Sequence, residues 1–147
     1  MAETLGSLCD KLTIIKLKQF HSLDEKKLNS LCTQEEQLKL EMNCFLDDAI
    51  SGIIPNENLS FSSNKVFKEE GNNVRCIEGT IGSVFAELAN INCELWHEQE
   101  KVYDFEKVPM DEKNKVVKKL AILNLERNKC IDKIDINLRE NIEKKNK

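Results

Sequence analysis

Residues 80–106 read TIGSVFAELANINCELWHEQEKVYDFE, a run that carries the chain's single Trp, Trp96, and one of its two His residues, His97. Ile81, Val84, Leu88, Ile91, Leu95, Val102 and Phe105 recur at the spacing of one helix face. Residues 4–21 read TLGSLCDKLTIIKLKQFH and lie over residues 80–97 when shifted by 76 positions. Thr4/Thr80, Gly6/Gly82, Ser7/Ser83, Leu12/Leu88, Ile15/Ile91 and His21/His97 then coincide, and Leu5/Ile81, Leu8/Val84 and Phe20/Trp96 are conservative. The pairing predicts one helical hairpin occurring twice, over residues 4–52 and 80–145, with residues 53–79 crossing between them. The expected fold is an all-α four-helix bundle of two pseudo-repeated antiparallel hairpins, with residues 1–147 forming a single domain.

The chain's 147 residues suffice for one buried core. Five Gly and two Pro suit long helices better than strands and turns. A net charge of −4 lacks the clustered basic face of nucleic-acid binders, so no nucleic-acid partner is expected. No apolar run approaches the ~20 residues that span a bilayer, and no signal peptide precedes Thr4, so no membrane partner is expected. The six Cys form no C-x-x-C pair. These features predict a reduced, cytoplasmic protein.

Around Leu12, helix one places Leu5, Leu8, Ile15 and Leu23 on its core side. Asp10, Ile14, Leu17 and His21 fall on the opposite side, which needs a second layer from this chain or from another copy. Thr33-Gln34-Glu35-Glu36 matches a capping box and predicts the start of helix two, which ends at Gly52. Residues 65–68 and 74–77 read as a small hairpin within the crossover. Val108-Pro109 ends helix three, and Asp111 is the expected cap of helix four. Val116, Leu120, Leu123, Ile131, Ile134, Leu138 and Ile142 form the stripe of that helix, interrupted by Arg127 between Asn124 and Asn128.

A charge inside an apolar stripe needs a partner. The turn near Pro109 brings Arg127 level with residues 90–94, so Glu94, flanked by Glu87 and Glu98, is its expected partner. The group reads either as a structural ion pair or as an anion-binding pocket between helices. His21, Asn90, Glu94, His97, Glu98, Asn124, Arg127 and Asn128 are the candidate ligand-binding residues. Glu94-x-x-His97 is one half of a di-iron motif, but the first copy offers Lys18-x-x-His21, and no metal ligand set is assigned. Glu94, Glu98, Asp132 and Asp135 lack the paired spacing of helical pyrophosphohydrolases that bind Mg²⁺. With no Gly-rich phosphate loop, Rossmann fingerprint or Ser/Cys nucleophile beside a His, neither a cofactor nor a catalytic residue is assigned.

The run from Cys9 to His21, CDKLTIIKLKQFH, resembles a segment of small helical bacterial proteins catalogued only as a domain of unknown function. Lys65-Val66-Phe67-Lys68, Leu95-Trp96-His97-Glu98-Gln99-Glu100 and the Asn124, Arg127, Ile131, Asp132 pattern are similar to others of its motifs, with the two halves in exchanged order. The resemblance implies an all-helical fold and names no activity. The expected function is a non-catalytic binding or self-assembling module. A homodimer meeting through Ile14, Leu17, Ala86 and Cys93 is the expected assembly, and a small anionic ligand the expected partner. Two readings stand beside it: a metal-dependent hydrolase of a phosphorylated small molecule, using Glu94, His97, Glu98 and Arg127, and a small-ligand sponge.

Overall fold

The computed structural model describes residues 2–61 and 72–147. Helix α1 spans Leu5–His21, α2 Glu25–Ile50, α3 Ile81–Tyr103 and α4 Lys113–Lys145. Among the described residues there is no strand. The Thr-x-Gly-Ser match proves to be a shared helix start. Thr4 Oγ1 accepts from the Ser7 amide at 3.2 Å, and Thr80 Oγ1 accepts from the Ser83 amide at 3.4 Å. Each Thr thereby satisfies one of the free amides of a first helical turn.

The first hairpin turns sooner than the sequence predicts. Helix α1 closes at His21, and Asp24 caps α2 by accepting from the Lys26 amide at 2.9 Å and the Lys27 amide at 3.4 Å. Thr33 is therefore mid-helix and its hydroxyl donates to the Asn29 carbonyl at 3.1 Å, so the expected capping box does not form. Leu23, expected in the core, lies in the turn and is 98% exposed. Gly52 terminates α2 with φ 80°, a conformation that needs no Cβ. Glu112, not Asp111, stands at the cap position of α4, and it makes no side-chain cap bond.

Contacts along the helices fix an up-down-up-down arrangement. Ser22-Leu23-Asp24 join the end of α1 to the start of α2 and Lys16 meets Glu35, so α1 and α2 are antiparallel. Gly6 meets Asp135 and Asp10 meets Arg127, so α1 and α4 are antiparallel. Asp10 and Thr13 meet Asn92 while His21 meets Trp96, so α1 and α3 run the same way. The main core gathers Leu5, Cys9, Leu88, Ile91, Leu123 and Ile134, with Leu59 of the crossover fully enclosed beside them. A second cluster, Leu8, Ile15, Leu31 and Leu38, holds the first half of α2 onto α1. The main stretches of contact are α3 with α4 and α1 with α2, and α1 also packs on both α3 and α4.

In the crossover, Asn56–Asn58 make one 3-10 turn. Residues 74–77 are irregular, so they do not supply one arm of the expected hairpin, and the other arm, residues 65–68, lies outside the described residues. The two Gly of the repeated start differ in their surroundings. A Cβ on Gly6 would stand 2.4 Å from the Ile131 carbonyl oxygen, whereas one on Gly82 would meet nothing within 4 Å. Helix α1 crosses α4 closely at Gly6, and α3 has no such crossing at Gly82.

Candidate binding groove

Helix α1 buries polar groups on the side that faces α3 and α4. Asp10 and Thr13 are both buried, and each is hydrogen-bonded, as burial of a polar group requires. Arg127 Nε donates to Asp10 Oδ1 at 2.8 Å, and Arg127 Nη2 donates to Asp10 Oδ2. Asn92 Nδ2 donates to Asp10 Oδ1 at 3.0 Å and to Thr13 Oγ1 at 2.6 Å, while Thr13 donates to the Asp10 carbonyl at 2.8 Å. The two hydrogen bonds that Arg127 donates to Asp10 raise its pKa, against the opposing effect of burial. This chain thus covers the second side of α1 at Asp10, while Ile14 and Leu17 stay half-buried and His21 exposed.

The expected Arg127–Glu94 pair is replaced by two separate arrangements. Glu94 belongs to Arg75, which lies in the crossover: Arg75 Nη1 donates to Glu87 Oε1 at 2.7 Å, and Nη2 donates to both Glu94 oxygens at 3.1 Å. Arg75 Nε also lies 2.9 Å from Glu126 Oε2, close enough for charge attraction but out of line for a hydrogen bond. Burial pushes the Glu126 carboxyl up; Arg75 opposes that, and Glu94 and Glu87 reinforce it. Glu98, one turn further along α3, is buried and bridged by Lys101 at 2.9 Å and Lys119 at 3.2 Å. Burial alone would raise its pKa, but the two lysines outweigh it and hold Glu98 below the usual carboxylate range.

Near the Gly6 crossing, Asp135 Oδ1 accepts from the Gly6 amide at 2.7 Å. Burial lifts its pKa to about 6, with that amide and the Thr4 hydroxyl opposing. Burial likewise pushes the thiols of Cys9 and Cys130 up to about 12, which makes them packing groups rather than nucleophiles.

The first half of α2 rests on α1, while Met42, Phe45, Leu46 and Ala49 of its second half pack into the main core. Two cavities of about 410 and 420 Å³ follow from this. The first is lined by Lys18, His21, Lys27, Leu31, Gln34 and Trp96 among others. The second is lined by Asp10, Lys11, Ile14, Leu38, Glu41 and Arg127 among others, and shares Lys18 and Gln34 with the first. Together they form one groove along α1, walled by α2 on one side and by Arg127 and Trp96 on the other. At its Trp96 end the His21 ring stacks on Trp96 with centroids 4.7 Å apart and planes 8° apart.

No protein-family model, curated protein or solved structure matches this chain.

Of the candidate residues, His21 and Arg127 reach this groove. Asn90, His97 and Asn124 are exposed, and Asn128 is half-buried. Glu94, Glu98 and Arg127 are held by three different sets of partners, so the structure does not gather them round one space. Among the described residues, no group of three or more His, Cys, Asp or Glu is placed to hold a metal ion. Sequence reasoning missed Asp10 and Arg75. The signal for Asp10 was present, a lone carboxylate beside Ile14 and Leu17. Arg75 gave none, because it lies in the irregular segment.

Proposed function

We propose that this protein is a non-catalytic binding module whose site is the groove along α1, and that its ligand is anionic. One observation supports this reading above the others. In a chain of net charge −4, Lys11, Lys18, Lys27 and Arg127 line the groove against the carboxylates of Asp10 and Glu41. An excess of cations draws anions, and Ile14 and Trp96 are the half-buried apolar groups beside them. Lys11 is paired with Glu3 at 2.6 Å and Arg127 with Asp10, so Lys18 and Lys27 are the cations left to meet a ligand; neither has an ion-pair partner among the described residues.

Trp96 is the chain's only Trp and lines the groove, so its emission reports occupancy directly. Titration with inorganic pyrophosphate and with poly-L-glutamate should give a saturable change for at least one of them. That change should weaken with added salt and be lost in Lys18→Glu. Emission unmoved by both anions, or an equal response in Lys18→Glu, refutes the reading. Self-association is the companion form of the same function. Ile14 faces into the groove, leaving Ala86 and Cys93 exposed on α3, and light scattering at micromolar concentration decides whether copies meet there.

A further inference from the structure

We infer that Glu87, Glu94 and Glu126 form a guanidinium-binding site, that Arg75 fills it as a ligand carried on the same chain, and that a guanidinium from outside takes the same place. The site is separate from the groove and shares none of its lining residues. Its present occupant gives the ligand class. Each guanidinium nitrogen of Arg75 meets a different carboxylate: Nη1 meets Glu87 at 2.7 Å, Nη2 Glu94 at 3.1 Å and Nε Glu126 at 2.9 Å. Glu87 and Glu94 stand two turns apart on α3, and Glu126 comes from α4. An ammonium is one compact charge, whereas a planar guanidinium offers donors in three directions, so this spread of acceptors selects the guanidinium.

The origin of Arg75 is the second argument. The three carboxylates stand on two helices packed against each other, a wall that is set before any ligand arrives. Arg75 comes instead from residues 72–79, which form neither helix nor strand. Ile77 packs against the main core two residues further on, so the Arg75 side chain can leave without displacing α3. The side chains of Arg75, Glu87 and Glu94 are 33%, 36% and 38% exposed, which opens the site to solvent on one side.

Hydrogen bonding is the third. Glu126 is 3% exposed, yet its Oε2 accepts no hydrogen bond, because Arg75 Nε lies out of line with it. Arg75, tied to its own backbone, thus leaves the most buried of the three acceptors unsatisfied. A guanidinium without that tether can align with all three. Its handicap is concentration, since a ligand on the same chain acts as if present at about millimolar levels.

The test uses the full chain, with methylguanidinium as probe and with methylammonium and Ca²⁺ as controls at constant ionic strength. In Arg75→Ala, methylguanidinium at about ten times its Kd should raise the thermal midpoint by about 4 °C. Methylammonium and Ca²⁺ should each give less than half of that, and Arg75→Ala/Glu126→Gln should lose most of the response. No rise, an equal rise with either control, or an undiminished rise in the double variant overturns the inference. The unaltered chain gives a second reading that does not depend on a variant folding. Its arginines are Arg75, Arg127 and Arg139, and each gives one Nε–H signal by NMR. Methylguanidinium up to about 100 mM, well above the effective concentration of the tethered side chain, should shift the Arg75 signal saturably and leave that of Arg127 in place. Both signals moving together, or neither moving, overturns the inference. Tighter binding of a short peptide centred on Arg than of methylguanidinium supports a partner protein as the source of the group, and weaker binding supports a free guanidino compound.

Discussion

Arg127 of α4 and Asp10 of α1 join through two hydrogen bonds although 117 positions separate them in the chain. This fork fixes how the two hairpins meet, because both oxygens of one carboxylate face two nitrogens of one guanidinium. Asn92 of α3 adds a third donor, so a single carboxylate ties three helices together.

Breaking that fork should destabilise the fold. Arg127→Leu leaves Asp10 buried with only Asn92 as donor, and Asp10→Leu strands the guanidinium. Each should cost about 2–3 kcal/mol, below the full cost of breaking a buried pair because part of Arg127 reaches solvent. The double variant should cost less than the sum of the two singles, by about 1 kcal/mol or more. Urea unfolding measures all three, and strict additivity would mean that the pair is not a unit.

The two glycines of the repeated start should answer oppositely to Ala. Gly6→Ala drives a Cβ into the Ile131 carbonyl and should cost at least about 2 kcal/mol, since backbone must move. Gly82→Ala finds open space and should stabilise α3 by about 0.5 kcal/mol. Thermal unfolding of the two variants suffices. Equal responses would show that α1 and α3 have the same surroundings at their starts.

Asp135 makes stability depend on pH. Its folded pKa of about 6 lies above the ordinary 3.8, so the folded state binds more protons than the unfolded one between those values. Its share of stability is full below about pH 4 and lost as pH rises to about 6, on the order of 2–3 kcal/mol. Asp135→Asn keeps an acceptor for the Gly6 amide and removes the charge. The variant should be the more stable at pH 7 and lose the advantage near pH 4. Denaturant midpoints across that range check it, and parallel pH curves for the two proteins would refute it.

Arg75 should matter through Glu126 more than through the exposed ends of Glu87 and Glu94. Arg75→Leu removes the nearest cation from a buried carboxylate and should cost about 2 kcal/mol at pH 7. Adding Glu126→Gln, which removes the charge left behind, should recover most of that loss. No recovery would mean that Arg75 acts by tethering the crossover through Glu87 and Glu94 instead.

The helical class, the helix starts at Thr4 and Thr80, the end at Gly52 and the apolar faces of α3 and α4 are all legible in the amino-acid order. These are local matters, decided by periodicity and by side chains that meet the free amides of a first turn. It misplaced the start of α2, because Ser22-Leu23-Asp24 turns the chain without a Gly or Pro and the stronger motif at Thr33 lies mid-helix. It marked Arg127 as anomalous but not its partner. Periodicity gives the face a residue occupies within its own helix; which helix covers that face depends on how whole hairpins dock. The docking of whole hairpins is what sets Asp10 against Arg127 and Arg75 against Glu94, and it leaves the first half of α2 resting on α1. That last feature leaves Lys18 and Trp96 on one groove although 78 positions separate them.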